Sequence, residues 1–235
     1  MDNTGDNKSK KQAYSLWDGI KMKPVKEHYR RYLITSAEEL AWVADIVNRG
    51  KRNFAGKTIL LKCDIDLDNH QWVPIGISEQ YPFCGEFDGG GHIIRGVNVR
   101  SHFEYIGFFG CIQGNHTNTP TTICDVQLFE LNIEGIGLFS YSGGLAGYVT
   151  QNVEISNCVV TGKIISKNCV GGVIGIADER VNIKNCIASG MMQGALNTGE
   201  LVGQQPKDPL MANYDDTATI VGTTDEDITI NESVL

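Results

Sequence analysis

Nowhere in the 235 residues does an uninterrupted apolar run approach the roughly 18 that a membrane-spanning helix needs, so no such helix is expected. Proline is scarce, at six residues, and the 27 glycines follow no three-residue period, which excludes collagen. The seven cysteines include no CxxC pair, which removes zinc ribbons and thioredoxin-type dithiols. HExxH and GxSxG are missing, and with them the zincin and serine-hydrolase signatures. The five histidines show no metal-ligand spacing, and no cofactor or metal is expected. The opening MDNTGDNKSKKQ has no apolar segment of the kind a secretory signal needs. Two expectations follow: a chain that stays inside the cell, or a mature form whose signal or lipid-anchor segment has been removed.

Apolar residues make up 41%, enough for a sizeable core, and this excludes global disorder. Twenty Lys and Arg face 28 Asp and Glu, for a net charge of −8. Residues 1–31 carry eight basic and four acidic side chains, a net of +4, whereas 206–235 carry one Lys and seven acids, a net of −6. A nucleic-acid binder would put its basic stripe on the folded part. Here the basic excess sits in the polar leader, residues 1–31, so no nucleic-acid partner is expected. Seven cysteines cannot all pair within one chain, and small buried thiols are the plainer reading.

An internal repeat organises the rest. Residues 144–171 align without a gap on 172–199, with identities at Gly144/Gly172, Gly147/Gly175, Val153/Val181, Ile155/Ile183, Asn157/Asn185, Cys158/Cys186, Gly162/Gly190 and Gly171/Gly199. ELVG at 200–203 keeps the 28-residue step, and IGFFG at 106–110 starts a looser copy with a polar insertion. No repeat holds a helical stripe, while runs such as Val153-Glu154-Ile155 alternate. Three short strands and three turns account for 28 residues. The expected fold is therefore all-β, a parallel β-helix in which each residue lies on its equivalent one coil away. Ile155 and Ile183 would stack inward, Asn157 and Asn185 would form an amide ladder at a turn, and Cys158 and Cys186 would be neighbouring thiols.

One helix is signalled ahead of the coils. Ser36-Ala37-Glu38-Glu39 has the form of a capping box, with Ser36 as N-cap and Glu39 reaching back. Ala37, Leu40, Ala41, Ala44 and Val47 share one apolar face, and Gly50 ends the pattern. A helix here would cover the open end of the first coil. The expected organisation is a basic leader or tether at 1–31, a capping-helix region at 32–55, the β-helix at 56–205, and an acidic segment at 206–235. In that last segment 217–221 and 228–230 suggest a hairpin that covers the last coil or pairs with a second copy end to end. The coil pattern is expected to stop after Gly203.

These blocks together resemble the bacterial GLUG-motif family of surface β-helix proteins. The resemblance covers roughly 14–205 and rests on YSLWDG (14–19), YLITSAEELAWVADIVNRG (32–50), FAGKTILLKCDIDLDNHQWVPIG (54–76), FCGEFDGGGHIIRGVNV (83–99), IGFFG and the GGLAG, GGVIG and GELVG repeat starts. It implies a right-handed parallel β-helix solenoid, secreted or held at a bacterial cell surface, that is adhesin-like and non-enzymatic. It is similar also to the non-catalytic N-terminal region of immunoglobulin-A-cleaving metallopeptidases. GELVG departs from the double glycine, and 206–235 does not match the repeat.

Candidate chemistry is sparse. Asp64, Asp66 and Asp68 resemble the start of a calcium loop, but Asn69 stands where Gly is wanted and Ile75 where a bidentate Glu is needed. A strand with one buried face is the better reading. Gly85 to His92 is glycine-rich without the Lys-Ser/Thr of a phosphate loop, and turns explain it, with Asp88 and His92 bonding turn backbone. Trp72, Tyr81, Phe103 and Tyr105 are the candidate contacts for a glycan or protein partner, with Trp72 read in the first instance as core packing. Three functions remain open: a binding or structural module, a carbohydrate-active enzyme with Glu86, Asp88 and Glu104 as its first candidate acids, and a structural protein of a virion or secretion machine made in the cytoplasm.

Overall fold

The computed structural model describes residues 14–114, 120–178 and 180–204, and the backbone of 212–214 and 220–222. The fold is a β-solenoid of about six coils with one short helix. One complete coil runs Val153–Ser156, Val159–Ser166, Cys169–Gly171 and Ile174–Ala177, and the next begins at Val181. Each of the four strands contributes to its own parallel sheet, here numbered first to fourth in coil order. Val153 pairs with Val181, Val159 with Ile187, Cys169 with Asn197 and Ile174 with Val202, a step of 28 residues on every face.

A coil therefore holds four strands where three were expected. The extra one comes from a glycine arch between the third and fourth sheets. The Cα of Gly175 lies against the backbone of Ser142, one coil earlier, and that of Gly147 against Tyr105. Without side chains at these points the two sheets touch backbone to backbone, so a short stretch of chain crosses the coil twice.

Alternation in the first sheet builds the core. Tyr32, Ile59, Phe87, Ile123, Ile155 and Ile183 occupy one register column and all are buried. Fully burying one such side chain is worth about 1.5–3 kcal/mol, so the column is the main reason the coils stay stacked. Phe83, Phe87, Phe108, Phe109 and Trp72 add an aromatic cluster across the first coils, with Trp72 stacked on Phe108 at 5.6 Å.

Helix α1, Ala37–Asn48, follows the first-sheet strand Arg31–Ile34, where the later coils run on into the second sheet. That second-sheet place is filled by Ser15–Leu16, parallel on Ile65–Asp66. The predicted face is buried: Ala37, Leu40, Ala41, Ala44 and Val47, together with Val43. At the far end Asn48 clasps the coil below, donating to the Pro74 carbonyl at 2.9 Å and accepting from the Gly76 N–H at 2.8 Å. The capping box does not form. The Ser36 hydroxyl is buried without a hydrogen-bond partner, and the Ala37 N–H donates to Ser15 Oγ instead. Glu39 reaches past Ser36 to accept from the Thr35 N–H and hydroxyl, and pairs with Lys23. The strand Ser15–Leu16 thus supplies the first helical N–H with a hydroxyl from outside the helix, while the Glu39 N–H donates to the Ser36 carbonyl.

Both ends differ from expectation in extent. Residues 14–31 are built into the fold, with Trp17 buried against Trp72, while 1–13 lie outside the described residues. The coil pattern continues past Gly203: Ala212–Tyr214 and Ile220–Gly222 add in parallel to the first and second sheets. Residues 217–219 and 228–230 of the expected hairpin lie outside the described residues.

Candidate binding groove

The sequence-derived candidates scatter across the fold. Trp72 belongs to the core, with its indole N–H donating to the Phe108 carbonyl at 3.0 Å. Tyr105 is buried as well: its ring stacks on Tyr148 at 4.8 Å, its hydroxyl donates to Glu79, and burial pushes its phenol up. Tyr81 is half-buried against Gly50, beyond the end of α1. Phe103 alone of the four is exposed, on the corner between the second and third sheets, near exposed Leu138 and Phe139 of the next coil. Trp72 and Tyr105 thus drop out as contact residues, because inward-facing positions of the solenoid claim large apolar rings.

Asp64, Asp66 and Asp68 do not converge into a calcium site. Asp64 accepts from the Ile93 N–H and lies 2.9 Å from His92 Nδ1, so the His92 ring meets a carboxylate, while its backbone N–H donates to the Gly89 carbonyl of the turn at 2.9 Å. Asp66 takes a two-pronged bond from Arg95, and Asp68 sits at the exposed turn near His70. Another trio, Asp88, Cys124 and Asp125, brings ligand atoms within 4.8 Å. There Asp88 accepts from the Gly90 N–H and Asp125 from the Asn157 amide. Glu86 and Glu104 lie on different faces, so the three candidate acids do not meet.

The stacked turn between the first and second sheets carries the amide ladder. Asn185 donates to Asn157 at 3.3 Å and Asn157 to Asp125 at 3.2 Å, and all three adopt left-handed φ near 50°. Cys158 and Cys186 follow directly and stack as buried free thiols. The adjacent Cys186 thiol, together with burial, pushes the Cys158 thiol well up. Burial likewise raises Cys84 to about 11 and Cys124 to about 12.

A groove of about 470 Å³ lies on the outer face of the first sheet, over the N-terminal coils. Its floor follows from strand alternation. With Tyr32, Ile59, Phe87 and Ile123 turned inward, Thr58, Glu86 and Thr122 turn outward in one row, continued by Glu154. Glu86 accepts from the Thr58 hydroxyl at 2.6 Å. The walls are Arg30, Lys57, Cys84 and Pro120. Lys57 pairs with Glu27, which also takes Arg52 and the Tyr32 hydroxyl; the Lys57 hydrogen bond holds the Glu27 carboxyl below its ordinary range. Arg30 forms no ion pair among the described residues.

Arg30 is presented by an unusual turn. His28 and Arg31 exchange both backbone hydrogen bonds, at 2.8 and 3.0 Å, and close a two-residue loop. Its tip residues, Tyr29 and Arg30, have φ of 50° and 66°. Such primed turns favour Gly or Asn, and bulky residues there carry strain of about 1–2 kcal/mol each. Tyr29 is 88% exposed. The groove was missed in the sequence because EHYRRY contains no turn former; an exposed Tyr amid basic residues was its one signal.

Stacked in-register coils, an N-terminal helix packed into the core and the glycine arch define a parallel β-helix repeat protein. The family model of the GLUG motif matches residues 140–165, the stretch that holds Gly143, Gly144 and Gly147 of the arch and the Asn157 rung. That match and the solenoid together fit a GLUG-motif β-helix repeat family. No curated protein and no solved structure matches the chain.

Proposed function

We propose that this chain is a non-enzymatic, adhesin-like β-helix module, secreted or held at a bacterial surface, that binds an extended partner in the groove over its N-terminal coils. The observation that carries this reading is the strained Tyr29–Arg30 turn at the edge of that groove. Strain of this kind persists only where the surroundings impose it, and it concentrates at binding and catalytic sites. The rigid stack supplies a fixed row of polar side chains beneath it, which is how repeat proteins present extended binding surfaces. Incubation with a panel of neutral and acidic polysaccharides tests the reading. Retention of a glycan, without new reducing ends or unsaturated products, is expected. Turnover of any polysaccharide in the panel would overturn the non-enzymatic reading.

A further inference from the structure

We infer that the groove takes a carboxylated glycan, with Arg30 binding its carboxylate, Tyr29 offering a face to a sugar ring, and Thr58, Glu86 and Thr122 bonding its hydroxyls; this rests on the binding reading above. Charge is the first argument. Residues 14–62 carry ten Lys and Arg against five Asp and Glu, a net of +5, in a chain whose total is −8. The N-terminal coils are therefore cationic, while the remainder is acidic. Within the groove Arg30 is the cation without a partner among the described residues. Its planar fork matches a carboxylate in two-pronged geometry.

The floor selects the rest of the ligand. Thr58, Glu86 and Thr122 offer hydroxyls and a carboxylate acceptor in a line, one per coil, with coils about 4.8 Å apart, about the span of one pyranose ring. A sugar chain has donors and acceptors to meet each of these. A polyphosphate backbone would instead set its charges over Glu86 and Glu154. A peptide would find no apolar socket for an anchor side chain in walls of Arg30, Lys57, Cys84 and Pro120. The groove lies on a sheet face, so a strand cannot add to its backbone. Its volume falls inside the roughly 300–1,000 Å³ range of ligand sites.

Isothermal titration with maltotriose whose terminal ring is oxidised to a single glucuronate, with the methyl ester of that acid and with maltotriose itself tests the inference, alongside the variants Arg30→Gln and Tyr29→Gly. The single-glucuronate trisaccharide should bind saturably, and both the methyl ester and Arg30→Gln should weaken binding about tenfold or more, the loss of a hydrogen bond between charged groups. Tyr29→Gly should bind more weakly yet melt at a higher temperature, because glycine relieves the positive φ while the ring is lost. That opposition separates a binding role from a structural one. Equal affinity for acid, ester and maltotriose would overturn the carboxylate assignment and leave a binding module standing. Unchanged affinity in Arg30→Gln, or no binding of the single-glucuronate trisaccharide, would overturn it as well. Cleavage of the trisaccharide would instead overturn the non-enzymatic reading and leave the ligand class intact.

Discussion

Gly175 sits so close to Ser142, one coil earlier, that a Cβ on Gly175 would stand 2.8 Å from the Ser142 nitrogen and 2.6 Å from the Gly147 carbonyl oxygen. Both neighbours are backbone, and neither can swing away. Gly175→Ala should therefore cost about 3 kcal/mol, the upper part of the usual range for overpacking. Gly56→Ala is the control: its φ is +68° and nothing lies within 4 Å, so only the conformational cost of about 1–2 kcal/mol applies. Urea melts of the two variants check the order. A Gly56 variant that loses more than the Gly175 variant would show that the arch is not packed this way.

The amide ladder is separable from the turn that carries it. Asn157 both tolerates φ of 54° and bonds Asp125 and Asn185. Asn157→Gly keeps the turn and loses the ladder, at about 1 kcal/mol for two exposed hydrogen bonds. Asn157→Ala loses both and should cost about 1–2 kcal/mol more. If the glycine variant melts like the parent protein, the ladder adds nothing to stability.

Glu39 should give the fold an acid-sensitive component. Burial raises its carboxyl, but Lys23 and the Thr35 N–H and hydroxyl outweigh that and leave it below the ordinary Glu value. A carboxyl lowered in the folded state stabilises at pH above its unfolded value of about 4.3 and loses that contribution as pH falls through the lowered one. The stability gap between the parent protein and Glu39→Gln should thus be widest near pH 7 and close as pH drops below about 4. Denaturant melts at pH 7, 5 and 3.5 measure it, and a gap that stays constant with pH would contradict the assignment.

What the sequence disclosed follows from in-register stacking. Like residues fall on like every 28 positions, so Ile155/Ile183 and Asn157/Asn185 announce both the period and the parallel arrangement. The helix was legible because its apolar face is local. Features made by distant segments were not. The true partner of the Ala37 N–H is Ser15, 22 residues away, and no local motif encodes it. The groove floor joins Thr58, Glu86 and Thr122 across steps of 28 and 36 residues, and the longer step hides the row. Tyr105 looked like a loop aromatic, yet its stacking on Tyr148 comes from a strand 43 positions later.

Excision of one whole coil tests the account most directly. Deleting 153–180 removes one 28-residue step and brings Val181 to the place of Val153, so Thr121–Cys124 would pair with Val181–Lys184 as it now pairs with Val153–Ser156. Deleting 153–166 removes half a coil, its first- and second-sheet strands, and brings the third-sheet strand Cys169–Gly171 to a first-sheet place. In a solenoid held by nearest-neighbour contacts, the whole-coil deletion should give a soluble, β-rich protein with a cooperative melt at somewhat lower temperature, and the half-coil deletion should not fold. Two deletions that behave alike, both folded or both unfolded, would contradict the stacked-coil account.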